Sequence, residues 1–228
     1  MQVQKQSHLS QFELLCQATQ EQQQELTSIS VIQQAVAGKI SLDTYIAFLT
    51  QAYHHVKHTV PLLMLAGSKI SEKDEWLRTA MAEYIEEEIG HEKWILNDIE
   101  ACGGDKQKIS ESEAGFATEL MVAYAYDSIT RINPLCFLGM VHVLEGTSVQ
   151  LATHAANSIK ESLSLPNKAF TYLISHGDLD IEHQKFFEDL VNRLSSSQLD
   201  VVIKYCKRFY HLYGEIFRGL PTGEQVGA

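Results

Sequence analysis

Residues 77–99 read LRTAMAEYIEEEIGHEKWILNDI, and this stretch decides how the rest of the chain is interpreted. Its apolar residues recur every three or four positions, which predicts an amphipathic α-helix. Glu88 and His91 fall on the same stripe, and Glu87 is the alternative carboxylate beside His91. A carboxylate buried alone costs on the order of several kcal/mol, so the pair predicts a bound partner such as a metal ion. The apolar positions of the stripe are Leu77, Met81, Tyr84, Ile95 and Ile99.

The same helical period continues along most of the chain. Only four prolines and thirteen glycines interrupt 228 residues, and no β-hairpin pattern is present. The sequence therefore predicts an all-α protein, a compact bundle of about seven helices. We expect one broken helix over residues 9–38 and one continuous helix over residues 71–103. Pro166 predicts the start of a later helix that is interrupted near Gly177, and Ser197 is the expected N-cap of the last helix.

Composition and charge limit the binding partners and the cellular location that the sequence predicts. The net charge of −11 disfavours nucleic acid and anionic membranes, because both would repel an acidic surface. No apolar run approaches the roughly 20 residues of a membrane span. Residues 1–6 lack the apolar core of a signal peptide and the four cysteines form no CxxC pair, so a cytoplasmic location is expected. We expect a single domain over residues 1–218, with a loose C-terminal tail over residues 219–228, acting on a small-molecule substrate.

Two further groups of polar residues occupy apolar helix faces. Glu145 lies on the stripe of a helix that begins near Pro134. His176, Asp180 and His183 are four and three residues apart, so on a helix they turn about 400° and 300° and leave from one face. A bundle interior is where helical proteins build metal sites from such side chains. Imidazole and carboxylate ligands suit iron or manganese, and zinc is also compatible.

At this point the sequence resembles the heme-oxygenase-like diiron oxidases. These belong to the broader TenA/PqqC/heme-oxygenase-like superfamily of helical bundles, and the order Glu and His, then Glu, then His-x3-Asp-x2-His carries the likeness. A second point of resemblance is the segment over residues 31–53. There a short helix ends at Gly38, and the next helix carries Gln51-x-Tyr53, as in the N-terminal part of that superfamily. The resemblance covers most of the chain.

The resemblance implies two iron ions, with manganese as the alternative, and dioxygen as the co-substrate. Members of the family usually place a glutamate about two helical turns before the first histidine, where this chain has Tyr84. Either Glu88 or Glu87 would then supply that carboxylate. The implied metal ligands are Glu88, His91, Glu145, His176, Asp180 and His183. The family also implies a third ligand helix that is distorted around residues 176–183 without metal, and a homodimer is common in the superfamily.

These residues predict a non-heme diiron oxidase or oxygenase that oxidises a small organic substrate. Two other activities stay open. A TenA-like thiaminase or aminopyrimidine hydrolase uses a cysteine, for which Cys136 is the candidate, and an aspartate, where this chain has Ala52. A PqqC-like oxidase uses dioxygen without metal and needs no such set of ligands. The residues expected to line a substrate pocket are Phe48, Val56, Leu138 and Val149.

Overall fold

The computed structural model describes residues 9–222, except for the side chains of residues 176–182, while residues 1–8 and 223–228 lie outside the described part. All regular structure in the described part is helical, as predicted. The α-helices are α1 (Gln11–Thr27), α2 (Ser30–Val36), α3 (Leu42–Val56), α4 (Thr59–Lys69), α5 (Glu75–Glu88), α6 (His91–Ala101), α7 (Lys106–Ser110), α8 (Phe116–Arg131), α9 (Cys136–Leu163), α10 (Thr171–Val191) and α11 (Ser196–Arg218). Short 3-10 helices, Glu72–Asp74 and Asn167–Ala169, precede α5 and α10.

Serine side chains set the starts of several of these helices. The hydroxyl groups of Ser10 and Ser41 accept hydrogen bonds from the main chain of α1 and α3. Ser195, and not the predicted Ser197, caps α11 and forms a capping box with Gln198. Each cap satisfies a main-chain N–H group that the helix itself leaves without an acceptor.

The helix predicted over residues 71–103 is two helices, because the chain turns at Gly90. That residue has a φ of +96°, in the left-handed region that glycine enters without strain. The hydrophobic period passes through the turn unchanged, so the pattern alone did not reveal it. The turn separates Glu88, the last residue of α5, from His91, the first of α6. The separation of α1 from α2 and of α3 from α4, together with the short additional helix α7, raises the number of α-helices in residues 9–222 to eleven, from the predicted seven or so.

Helix α10 runs without a break from Thr171 to Val191, so the predicted interruption near Gly177 was wrong. The local distortion that the family resemblance implied for residues 176–183 is likewise not found in the backbone. A glycine inside a helix costs about 1 kcal/mol, and buried apolar residues of α10, such as Phe187 and Leu190, outweigh that cost.

The N-terminus of α10 is held by a carboxylate from another helix. Asp98 of α6 is fully buried and accepts hydrogen bonds from the main-chain N–H groups of Thr171 (3.0 Å) and Tyr172 (2.8 Å). These N–H groups belong to the first turn of α10, where no acceptor within the helix is available. Asp98 thus joins α6 to α10, the two helices that carry most of the predicted histidine ligands.

The long helix α9 is central, and it packs against α10 and α11. Its contact with α11 is very close at Gly139, where an added Cβ would lie 2.6 Å from the main-chain nitrogen of Cys206. Only a residue without a side chain allows the two backbones to approach this closely. The position of α9 therefore depends on Gly139, and α9 in turn places Glu145 in the interior.

The end of the chain is anchored over the residues that the structure describes. Leu220 is buried, and the main-chain carbonyl of Pro221 accepts a hydrogen bond of 2.7 Å from the Thr44 hydroxyl. The predicted loose tail therefore does not begin at residue 219, and residues 223–228 lie outside the described part. Over the described residues, no helix combines the length and apolar character needed to cross a membrane.

Candidate metal centre

The corner between α5 and α6 brings the first two predicted ligands together. Glu88 Oε2 lies 3.1 Å from His91 Nδ1, and the side chains are only 11% and 5% exposed. Trp94 stacks on the His91 ring at a centroid distance of 4.1 Å, which restricts its rotation. The predicted pairing of Glu88 with His91 is therefore found in the structure, although a turn and not a continuous helix face produces it.

His183 of α10 reaches the same corner. Its Nε2 atom lies 2.9 Å from Glu87 Oε2, and its Nδ1 atom lies 3.9 Å from Glu88 Oε1. The His183 side chain is 6% exposed and Glu87 is 52% exposed, so Glu87 approaches from the solvent side. Sequence reasoning treated Glu87 and Glu88 as rivals, but the structure places both of them beside His183.

Tyr84 lies one turn before Glu88, and its phenol lies near the carboxylate of Glu145. Burial raises the pKa of the Tyr84 phenol well above its ordinary value, and the nearby carboxylates of Glu145, Glu88 and Glu87 raise it further. Tyr84, Glu88 and Glu145 also line one cavity. Three carboxylates therefore approach one phenol, and Glu145 of α9 faces the same interior point as the α5–α6 corner.

Three of the six predicted ligands, Glu88, His91 and His183, thus lie close together. Glu145 lies near Tyr84 and lines the same cavity as Glu88. The side chains of His176 and Asp180 lie outside the described part, so their predicted role stays a prediction.

Among the side chains that the structure does describe, no three histidine, cysteine or acidic groups form a completed metal-binding arrangement. Instead, imidazole and carboxylate groups hydrogen-bond to one another at distances near 3 Å. Neutral imidazoles with carboxylates are ligand types that iron and manganese accept, so the donor set fits such a metal.

The other buried histidines have structural surroundings. His142 stacks against Phe187 at 5.7 Å, and burial lowers the pKa of its imidazole to about 4. His54 Nε2 lies 3.0 Å from the Ser112 hydroxyl. His58 Nδ1 lies 3.1 Å from the Tyr126 hydroxyl. These contacts are typical of core histidines.

A cavity of about 150 Å³ begins at the carboxylate cluster and extends between α2, α3 and α9. Of the predicted lining residues, Phe48 and Val56 line it, whereas Leu138 and Val149 are not among its described lining residues. The sequence analysis missed His55, which lines the cavity and stands edge-on to the Tyr213 ring. A helical stripe identifies which residues are buried but does not distinguish those that face a cavity from those packed against protein.

A family profile described as iron-containing redox enzyme matches residues 46–214, which include the whole carboxylate and histidine cluster. The chain belongs to the iron-containing redox enzyme family. No curated protein matches the sequence significantly.

Solved structures show which fold this member of the iron-containing redox enzyme family adopts. A domain of unknown function with a heme oxygenase-like fold from Shewanella denitrificans has a TM-score of 0.82 and 22% identity, covering 93% of this chain and 92% of that one. A TenA homolog from Pseudomonas syringae has a TM-score of 0.77 and 11% identity, covering 93% of both chains. Heme oxygenase from Leptospira interrogans has a TM-score of 0.73 and 16% identity, covering 93% of this chain and all of the other. The predicted heme-oxygenase-like, TenA-like fold is confirmed.

Proposed function

We propose that this protein is a non-heme diiron oxidase that uses dioxygen to oxidise a small organic molecule. The observation that carries the proposal is the proximity of carboxylates from α5 and α9 and buried imidazoles from α6 and α10 at one end of an apolar cavity. The family supports iron-dependent redox chemistry in general terms. The restriction to two non-heme iron ions rests on the number and type of the ligands.

The described residues proposed as ligands are Glu88, His91, Glu145 and His183, and the helical spacing adds His176 and Asp180. Two ferrous ions bound there would supply the electrons that reduce dioxygen. The protein's own contribution is to hold the ligands and to limit water. Trp94 and Glu88 orient the imidazole of His91, and Glu87 orients that of His183. Side chains that lock ligand orientation in this way commonly control metal affinity.

Tyr84 has a proposed role that differs from that of the metal ligands. Its phenol is nearly inaccessible to water and faces the carboxylates of Glu88 and Glu145. Because burial and the nearby carboxylates both favour the protonated phenol, Tyr84 can donate a hydrogen bond at this end of the cavity. It would therefore orient a carboxylate or a polar group of the substrate.

The hydrolase alternative is disfavoured by the surroundings of Cys136. That residue is fully buried, and burial raises the pKa of its thiol, which disfavours the reactive thiolate. Cys136 itself is not among the described residues that line the cavity. A cysteine-dependent reaction on a ligand in that cavity would need both a closer and a more acidic thiol.

The test is metal content after anaerobic loading with ferrous iron and removal of unbound metal. The proposal expects about two iron atoms per chain, a loss of iron in Glu88→Gln and Glu145→Gln, and no loss in Glu86→Gln. Glu86 is a matched control, because it is an exposed glutamate on the same helix as Glu88. Wild-type protein that binds no iron, or ligand variants that bind as much as the control, would refute the assignment.

Function is tested on the same samples. Dioxygen mixed with the ferrous protein should be consumed, with a change in the visible or Mössbauer spectrum, and this change should be lost in Glu145→Gln. Consumption of dioxygen by metal-free protein would instead favour a PqqC-like reaction without metal. Release of an aminopyrimidine product without dioxygen would favour the TenA-like hydrolase.

A further inference from the structure

We infer that the cavity beside the carboxylate cluster takes a compact, uncharged, mainly apolar molecule of about the size of one substituted benzene ring. This inference names the substrate class of the proposed oxidase, and so rests on that function. The observations that carry it are the volume of the cavity, the orientation of its polar lining groups and the charge at its polar end.

Volume limits the size of the ligand. The cavity measures about 150 Å³. An apolar cavity of about 150 Å³ in a protein core holds one benzene molecule. A porphyrin, or a long extended alkyl chain held entirely within the cavity, exceeds this volume. A single ring with a short substituent fits the available space.

The lining is mainly apolar, and three of its hydroxyl groups are already hydrogen-bonded to the main chain. The Thr44 hydroxyl donates to the carbonyl of Pro221 at 2.7 Å. The Tyr45 hydroxyl donates to the carbonyl of Ala169 at 2.8 Å. The Thr147 hydroxyl donates to the carbonyl of its own helix one turn earlier at 2.6 Å. These three donors are already used by main-chain acceptors, so the ligand meets mostly methyl groups and aromatic faces.

Aromatic side chains surround much of the space. They include Tyr45, Phe48, Tyr84, Phe137, Tyr213 and Phe217. Tyr45, Phe48 and Phe217 form a continuous stack, with centroid separations of 6.4 Å and 5.9 Å. Rings pack well edge-on or offset against other rings, so such a wall favours a planar or alicyclic ligand over a flexible chain.

Charge disfavours an anionic ligand. Glu88 and Glu145 are the acidic residues among the described lining, which contains no lysine or arginine. With two divalent ions bound, the three proposed carboxylate ligands would leave one positive charge, but Glu87 adds a fourth carboxylate beside His183. Glu87 is half exposed and lowers this excess only in part, so the cluster has at most one positive charge to offset a buried substrate anion. An uncharged polar group, such as a hydroxyl, faces no such penalty.

Binding of matched probes tests this inference. Benzyl alcohol, benzoate and dodecanol are titrated into the purified protein by calorimetry, with iron content measured on the same sample. We expect benzyl alcohol to bind at one saturable site, and benzoate and dodecanol each to bind at least about tenfold more weakly. Benzoate or dodecanol binding as tightly as benzyl alcohol, or no binding of benzyl alcohol, would overturn the inference.

Substitutions in the cavity wall test whether benzyl alcohol binds in the cavity. Ala155 of α9 lines the cavity and is half-buried, whereas Thr153 is exposed on the same helix and is not among the lining residues. Ala155→Phe should weaken benzyl alcohol binding at least about tenfold, while Thr153→Phe binds it normally. Ala35→Leu, which enters the cavity from α2, is a second variant in case Ala155→Phe does not fold. Binding that is unchanged in a folded cavity variant would place the probe elsewhere and refute the assignment.

The two proposals can fail separately. Selective binding of benzyl alcohol to a chain that cannot hold iron would refute the diiron function but keep the ligand class of the cavity. Two bound iron atoms together with tight benzoate binding would keep the metal centre and refute the ligand class.

Discussion

Asp98 is expected to contribute unusually strongly to stability through a hydrogen-bonded cap. Both of its carboxylate oxygens accept N–H groups at the start of α10, at 3.0 Å and 2.8 Å, and the residue is fully buried. Asp98→Ala would leave two part-buried N–H groups without an acceptor. Each such group costs about 1–3 kcal/mol, so the free energy of unfolding should fall by about 2–6 kcal/mol.

Asp105 provides the matched control for this change. It accepts two N–H groups at the start of α7, each at 3.0 Å, but it is exposed. Water can replace the lost acceptor there, so Asp105→Ala should cost only about 1 kcal/mol. Urea denaturation followed by circular dichroism measures both variants. Equal losses for the two variants would refute the reasoning that burial makes the Asp98 cap valuable.

The same carboxylate predicts a pH dependence. Burial raises the pKa of Asp98 to about 6, although the N–H groups of Tyr172 and Thr171 partly offset the rise. The folded protein then holds this proton more tightly than the unfolded chain, so the contribution to stability is largest below pH 4 and falls as the pH rises to about 6. Between about pH 4 and pH 6, the free energy of unfolding of the wild type should fall by about 3 kcal/mol relative to that of Asp98→Asn. A stability difference between the two proteins that does not change with pH would contradict this.

The remaining predictions concern helix packing and a core histidine. Gly139→Ala should destabilise the protein by about 1–3 kcal/mol, because its Cβ would meet the backbone of α11 at 2.6 Å. Gly146→Ala on the same helix meets nothing within 4 Å and should stabilise by about 0.5–1 kcal/mol, with thermal unfolding as the measurement for both. Burial lowers the pKa of His142 to about 4, so its contribution to stability is lost as the pH falls from about 6.5 to 4. In His142→Phe, the fall in the free energy of unfolding between about pH 6.5 and pH 4 should be smaller by about 3 kcal/mol. If the free energy of unfolding depends on pH equally in both proteins, the prediction is wrong.

Much of the candidate site was predictable because its ligands interrupt apolar stripes. Glu88, His91, Glu145 and His183 stand where a helix should be hydrophobic. The structure brings Glu88, His91 and His183 close together and places Glu145 near Tyr84. Glu87 could not be assigned in the same way. It lies off the stripe and is half exposed, and it takes part only because α10 packs beside the end of α5.

The breaks between helices were the least predictable part of the fold. Gly90 turns the chain although the hydrophobic period continues across it, whereas Gly177 lies inside an unbroken helix. The two glycines look alike in the sequence, because the conformational freedom of glycine permits a turn but does not require one. Packing against neighbouring helices decides which of the two positions turns.

The sequence by itself determined that the chain is helical and which polar residues are turned toward its interior, because helical periodicity is a local property of the order of residues. Only the tertiary structure decided that Glu87 joins the cluster, that Asp98 anchors α10, and that the cavity is small and aromatic. These features depend on distances between helices that are far apart in the chain. Close approaches such as the one at Gly139 set those distances, and no local pattern encodes them.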